Sequence, residues 1–142
     1  MNERPFTSII KLLQGARLRP TRQRLALGKL LFDGNDRHVT AEELHEQAKD
    51  ARISVSLATV YNTLHQFTKA GLLREVVVEP GRTYFDTNVS GHHHFFFEDS
   101  GRIQDIAEDE VTISSLPLVP EGTRVSRVDI VVRVTNDETD IN

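Results

Sequence analysis

The chain has 142 residues, no cysteine and a formal net charge of −4 at pH 7. The lack of thiols excludes disulfides, cysteine-ligated structural zinc, iron–sulfur clusters and cysteine-ligated haem, so any metal site must use histidine, carboxylate or water. No apolar run reaches the ~18 residues of a membrane span, and the N-terminus lacks the apolar core of a signal peptide, so we expect a soluble, cytoplasmic protein with no membrane partner.

The charge is divided unevenly along the chain. Residues 1–87 carry 13 Lys and Arg against 10 Asp and Glu, whereas residues 88–142 carry 4 against 11. The stretch Arg4–Phe32 has seven basic residues and no acidic one. Clustered positive charge is typical of surfaces that bind phosphates, although an ordinary solvated helix face is the simpler alternative. We therefore predict two domains, 1–87 and 88–142.

Helix signals recur through the basic half. Arg19-Pro20-Thr21 begins a helix that Asp33–Asp36 ends, and Thr40–Glu43 has the pattern of a capping box that begins the next. Ser56 is an N-cap residue for a helix over Ser56–Ala70, with apolar side chains at helical spacing on one face. The opposite face carries short polar side chains suited to base edges or phosphates, namely Ser56, Thr59, Asn62, Thr63 and Gln66.

Two β-rich runs follow, Leu73–Glu79 and Arg82–Thr87, and Pro80-Gly81 between them predicts a hairpin turn. Three helices and a hairpin in this order indicate a winged helix-turn-helix with Ser56–Ala70 in the major groove. A generic small α+β domain is the alternative.

The acidic half has a different pattern. We predict strands over His92–Phe97 and Arg102–Ile106, a short helix over Glu108–Leu116, and a last strand over Val125–Val134. So few elements give a thin core, so we expect a partner subunit to complete it. The predicted fold is α+β: an N-terminal winged helix-turn-helix followed by a small α/β dimerisation domain.

Three consecutive histidines, His92, His93 and His94, lie at the start of the acidic half. On a strand His92 and His94 share one face and His93 points to the other. Imidazole is the commonest metal ligand and also ligates haem iron. The other candidate ligands are His38, Asp86 and Asp105, which together with His92 and His94 would suit a divalent transition metal. The alternatives are that the three histidines serve only the fold, and that the site belongs to a histidine-metal hydrolase or oxygenase. His45 and His65 lie inside predicted helices, and we expect them to be structural.

The residues quoted above resemble the ferric uptake regulator family. The resemblance rests on Arg19–Arg24, His38–Leu44, Leu57–Leu64 and the His92–Gly101 segment, and it extends from about Gly15 to Val134. It implies a homodimeric, non-enzymatic transcription regulator that binds A/T-rich palindromic operator DNA under metal control.

The resemblance also assigns roles to single residues. It implies a metal site at His38, Asp86, His92, His94 and Asp105. It implies DNA contacts by Tyr61 in the major groove, by Arg19 in the minor groove, and by Arg24 and Thr59 at phosphates. We add Ser56 and Asn62 to the DNA-binding candidates from the polar helix face.

The departures from the family pattern concern its other metal sites. Phe97 and Ser100 occupy the positions of a cysteine pair that holds structural zinc in the family. A cysteine-free member with three histidines is similar to the iron response regulator branch of rhizobial type. That branch implies DNA binding when iron is scarce and release or inactivation by haem, with His92, His93 and His94 as haem candidates. The alternative is a regulator whose co-repressor is Mn²⁺, Fe²⁺ or Zn²⁺.

Overall fold

The computed structural model describes residues 7–137. They form two compact units, one ending at Val89 and the other beginning at Ser90. Arg4, the first residue of the predicted basic stretch, lies outside the described residues. Among residues 7–137, no helix is long and apolar enough to cross a membrane. The elements of the first unit are α1 (Thr7–Gly15), α2 (Arg22–Phe32), β1 (His38–Val39), α3 (Ala41–Asp50), α4 (Leu57–Lys69), β2 (Arg74–Glu79) and β3 (Arg82–Asp86).

Side-chain caps begin the three predicted helices where the sequence indicates. The hydroxyl of Thr21 accepts the N–H of Arg24, and the hydroxyl of Thr40 accepts that of Glu43. Ser56 accepts the N–H of Thr59 at 3.1 Å in the same way at the start of α4. Each cap satisfies a backbone donor that has no partner inside its helix. The predicted helix starts are therefore confirmed, whereas α1 was not predicted.

Three helices end in a shared backbone motif with one residue in the left-handed region. That residue is Arg17 after α1 (φ 62°), Arg52 after α3 (φ 60°) and Gly71 after α4 (φ 84°). At the end of α3, the N–H of Ile53 bonds to the carbonyl of Ala48 at 2.8 Å, as a Schellman motif requires. Glycine adopts this conformation without cost, but an arginine does not.

The helices pack against a small antiparallel sheet of order β1-β3-β2. The hairpin of β2 and β3 turns at Pro80-Gly81, where Gly81 has φ 79°. All four helices contribute fully buried side chains to one core, which includes Leu13, Leu31 and Phe67. This arrangement confirms the predicted winged helix-turn-helix.

The second unit contains β4 (His92–Phe97), β5 (Ile103–Ala107), one 3₁₀ turn (Glu108–Glu110) and β6 (Val131–Val134). The strands form a sheet of order β5-β4-β6, antiparallel between β4 and β5 and parallel between β4 and β6. The first two predicted strands are confirmed to within a residue.

Two predictions for this unit were wrong in extent. The helix predicted over Glu108–Leu116 is a single 3₁₀ turn without a side-chain cap, because a β-branched run follows at Val111–Ile113. The strand predicted over Val125–Val134 begins only at Val131. At the preceding residue, the N–H of Ile130 bonds to the His93 ring rather than to a strand backbone.

The described part of the second unit has a small core. Its buried apolar side chains are Phe96 and Ile106, and its buried polar ones are His92, His93 and His94. Large apolar side chains between the 3₁₀ turn and β6 remain exposed, and Leu118 is 100% exposed. So little buried apolar area stabilises a fold of this length only weakly.

Candidate metal ligands and nucleic-acid interface

The first unit holds one histidine and one carboxylate side by side. His38 on β1 and Asp86 at the end of β3 are directly opposite each other in the antiparallel register. His38 Nε2 lies 3.0 Å from Asp86 Oδ2, and Asp86 is fully buried. Asp86 Oδ1 also accepts the N–H of Asn88 at 2.9 Å. A buried carboxylate needs such donors or a cation to offset its lost hydration.

The second unit brings two histidines to one carboxylate. His94 and Asp105 are opposite each other across β4 and β5. His92 Nε2 and His94 Nε2 each lie 3.4 Å from Asp105 Oδ1, and the two ring centroids are 4.5 Å apart. Strand alternation therefore places His92 and His94 on one face, as the sequence predicts.

The hydrogen bonding of His92 favours a cation at this carboxylate. His92 Nδ1 lies 2.6 Å from the carbonyl oxygen of Ser90, so Nδ1 carries a proton and donates it. In the neutral ring, Nε2 then presents a lone pair to Asp105. Two acceptors at that distance repel each other unless a proton or a metal ion lies between them. Imidazole nitrogen with carboxylate oxygen is a donor set that divalent transition metals prefer, so these residues fit such an ion.

The remaining histidines take part in the fold. His93 points to the opposite face of β4, where its Nδ1 accepts the N–H of Ile130 at 3.2 Å. His45 Nε2 lies 3.1 Å from the carbonyl oxygen of Val55, across the turn between α3 and α4. His65 on α4 contacts the edge of Phe85 at 5.7 Å between centroids. His45 and His65 therefore have the structural roles expected of them.

Of the predicted DNA-contacting arginines, Arg24 lies in the first turn of α2 and Arg19 lies in the segment before that helix. Arg24 Nε and Nη2 donate to Gln66 Oε1 on α4 at 3.2 and 3.1 Å. Arg24 Nη1 donates to the backbone carbonyl of Arg19 at 2.9 Å. One guanidinium thus links the segment before α2 to α4, and Arg19 itself is exposed.

The polar face of α4 borders a shallow depression of about 280 Å³ against the start of α2. Ser56, Thr59 and Asn62 are exposed or half-buried on this helix. Thr63 lies on the same side of α4 but is only 4% exposed. The depression is lined by Thr21, Gln23, Arg24, Thr59, Asn62, Thr63 and Gln66.

Tyr61 is held from two sides. Its hydroxyl donates to Glu42 Oε1 on α3 at 2.7 Å, and its ring stacks on His65 at 6.3 Å between centroids. The hydrogen bond to Glu42, and secondarily burial, raises the pKa of Tyr61 above its ordinary value. Sequence reasoning missed Glu42 as a site residue, because that glutamate also fits the first turn of a helix.

Comparison with known proteins agrees with this fold. The profile of the ferric uptake regulator family matches residues 15–133. The ferric uptake regulation protein of Shigella flexneri is 33% identical over 100 residues, which cover 70% of this chain and 68% of that protein. The protein of the same name from Escherichia coli K12 is 32% identical over 100 residues, with the same two shares covered.

Solved structures give the same result. The ferric uptake regulator of Pseudomonas aeruginosa, solved with manganese, has a TM-score of 0.69 at 25% identity, covering 89% of this chain and 96% of that one. The Vibrio cholerae ferric uptake regulator has a TM-score of 0.71 at 23% identity, covering 90% and 99%, and so supports the fold. With the family profile spanning most of the sequence, this chain belongs to the ferric uptake regulator family of metal-responsive transcription regulators.

Proposed function

We propose that this chain is a DNA-binding repressor whose affinity for its operator depends on a divalent transition metal. The observation that carries the proposal is that each unit holds its own pairing of imidazole and carboxylate. These are His38 with Asp86 in the first unit, and His92 and His94 with Asp105 in the second. We propose that the five side chains share one ion, of which Mn²⁺, Fe²⁺ and Zn²⁺ are the candidates.

The chain's own residues prepare these donors. The Ser90 carbonyl holds the His92 ring with Nε2 toward Asp105, and the Asn88 N–H orients the Asp86 carboxylate. Such outer hydrogen bonds fix the orientation and tautomer of ligands and raise their affinity. A bound ion would supply positive charge and coordinate donors from both units. That link would restrict the orientations in which the DNA-binding units can meet DNA.

DNA reading falls to α4 and the start of α2. We propose that Ser56, Tyr61 and Asn62 face the major groove, with Arg24 and Thr59 at phosphates. Arg19 is exposed beside α2 and suits the narrow, electronegative minor groove of A/T-rich DNA. The Arg24–Gln66 hydrogen bonds keep these two contact regions in a fixed relation.

We propose that the working form is a homodimer on palindromic DNA. The second unit buries few apolar side chains and leaves Leu116, Leu118 and Val125 exposed. A second copy would cover such side chains and present two readers to two half-sites.

The test is operator binding by protein first stripped of metal. Duplexes selected from a random library by the metal-loaded protein would be titrated with and without Mn²⁺ or Zn²⁺, and Co²⁺ absorption would report imidazole and carboxylate ligation. We expect metal to tighten binding by at least about tenfold, a coupling of ~1.4 kcal/mol. Absence of DNA binding in every metal state would refute the regulator.

Matched substitutions test the ligands. Asp86→Asn and Asp105→Asn keep the side-chain shape but remove the charge, and each should weaken metal binding and the metal effect on DNA. His45→Gln removes an imidazole whose hydrogen bond, to the Val55 carbonyl, lies within the first unit, and it should leave both unchanged. Unaltered Co²⁺ spectra in both aspartate variants would show that the metal binds at other residues.

The iron response regulator version of this function replaces the metal signal with haem. Its support is the run His92–His94 in a chain without cysteine. A haemin titration of the DNA complex separates the two versions. DNA release that follows growth of the Soret band would establish haem as the signal. An unchanged DNA affinity would instead favour a divalent metal as the signal.

A further inference from the structure

A second depression lies on the other side of Gln23, between the first turn of α2 and the turn that joins α3 to α4. Its volume is about 370 Å³, and its lining includes Arg22 and Arg52 with Ser54 between Arg52 and the start of α4. Its apolar lining residues are Ala26, Ile53 and Val55. No acidic side chain lines it, and neither guanidinium has an ion-pair partner among residues 7–137.

The backbone conformation after α3 fixes the position of the Arg52 Cα atom. Arg52 occupies the left-handed position after α3 (φ 60°), and the next residue, Ile53, is bonded to Ala48 and packs against the core. Glycine would suit this position better, so an arginine here has a conformational cost. The guanidinium is exposed and therefore available to a ligand.

Two helix starts flank the same depression. Arg22 is the first residue of α2, and Ser54 and Val55 come directly before the N-cap Ser56 of α4. Helix N-termini carry partial positive charge and unpaired N–H groups, both of which favour an anion. Two guanidiniums, a hydroxyl and these helix starts together fit one tetrahedral oxyanion.

We propose that this depression, named here the Arg22–Arg52 pocket, binds one backbone phosphate of DNA beyond those assigned to Arg24 and Thr59. The proposal rests on the DNA-binding function proposed above. It places the phosphate beside the N-terminus of α4, where the backbone passes when that end of the helix meets base edges. The contact carries no sequence information and sets the position of the reader on the duplex.

The salt dependence of DNA affinity measures such a contact. Loss of one phosphate contact reduces the slope of log affinity against log salt by ~0.9 per bound subunit, equivalent to about fivefold in affinity at ~0.15 M salt. We expect this loss in Arg22→Gln and in Arg52→Gly, on selected and random duplexes alike. The double variant should lose less than the product of the single losses, because both arginines hold one phosphate.

The choice of glycine separates binding from folding. Arg52→Gly relieves the left-handed strain, so its unfolding midpoint should rise by about 2–4 °C while DNA affinity falls. Arg17→Gly makes the same backbone change after α1, outside the pocket, and should give the same rise. Arg52→Lys keeps the charge and should retain most of the slope, and Arg102→Gln in the second unit should leave the slope unchanged.

The outcomes distinguish this proposal from the one on which it rests. If the unmodified protein binds no duplex, the regulator itself fails. If it binds DNA but Arg22→Gln and Arg52→Gly keep its slope, only the pocket assignment is overturned. Titration with inorganic phosphate gives a further outcome. If submillimolar phosphate shifts the Arg52 side-chain N–H resonance to saturation while the variants keep the DNA slope, the pocket binds a free anion and the DNA assignment is overturned.

Discussion

The hydrogen bond between Tyr61 and Glu42 predicts a measurable change in the acidity of the tyrosine. The hydroxyl donates to a carboxylate oxygen at 2.7 Å, and this bond is the main reason that the pKa of Tyr61 is raised. The chain has two tyrosines and no tryptophan. Tyr84→Phe therefore leaves Tyr61 as the single phenol in a near-ultraviolet titration. Glu42→Gln in that background should bring the pKa of Tyr61 back toward its ordinary value.

The energy of this bond follows from its charge and its exposure. A hydrogen bond to a charged group contributes ~1.5–3 kcal/mol in a protein interior, but solvent at the surface of α3 and α4 reduces the expected coupling to about 0.5–1 kcal/mol. A double-mutant cycle with Glu42→Gln and Tyr61→Phe, measured by denaturant unfolding, gives this coupling directly. Because the folded-state pKa is raised, the contribution is complete below the ordinary pKa of tyrosine. It disappears as the pH rises through the folded-state pKa.

The same variants separate the ring of Tyr61 from its hydroxyl in DNA binding. Tyr61→Phe keeps the ring and its stack on His65, so it should reduce DNA affinity much less than Tyr61→Ala. Equal pKa values of Tyr61 with Glu42 and with Gln at position 42, together with additive unfolding energies, would refute the claim that the hydrogen bond to Glu42 holds the Tyr61 side chain.

Three further predictions concern stability and assembly. Phe67→Ala removes a fully buried ring and should lower the free energy of unfolding by about 3–5 kcal/mol in chemical denaturation, and a loss below ~1 kcal/mol would contradict its place in the core. Asp99 accepts the N–H of Asn136, and this bond is the main reason that the pKa of Asp99 is lowered. The bond should therefore persist above the ordinary carboxyl pKa and be lost as the pH falls through the lowered pKa. The amide resonance of Asn136 should follow that titration and should not follow it in Asp99→Asn. Leu118→Asp should weaken the proposed dimer by roughly tenfold or more in sedimentation, and an unchanged dimer would exclude this segment from the interface.

Local signals were sufficient to predict most of the first unit. Thr21, Thr40 and Ser56 are caps whose partners lie three residues away, so the relevant interaction is contained in the sequence pattern itself. The hairpin turn at Pro80-Gly81 is local in the same sense. The helix α1 was not predicted, although its buried residues Ile9 and Leu13 have helical spacing.

Long-range contacts determine the parts that were mispredicted. Whether Val125–Ile130 forms a strand depends on the neighbour available along β4, and the sequence of that segment carries only its own alternation. Thr63 lies on the predicted polar face of α4, and its burial to 4% exposure depends on how α4 packs within the first unit, which the helix sequence alone does not specify. Glu42 and Arg52 were not among the predicted site residues, because exposed charges on helices and turns have no local pattern that distinguishes binding from solvation.

The three histidines show how one strand can combine ligands with a structural hydrogen bond. Alternation turns His92 and His94 toward Asp105 and leaves His93 to accept the N–H of Ile130, just before β6 begins. A shift of one residue in the pairing of β4 would exchange these faces, placing a single histidine at Asp105 and removing the bond to Ile130. The hydrogen bond of His93 therefore favours the same register that presents the two candidate ligands. The middle histidine thus contributes to the candidate site through the fold, and its substitution would disturb ligand placement without removing a ligand.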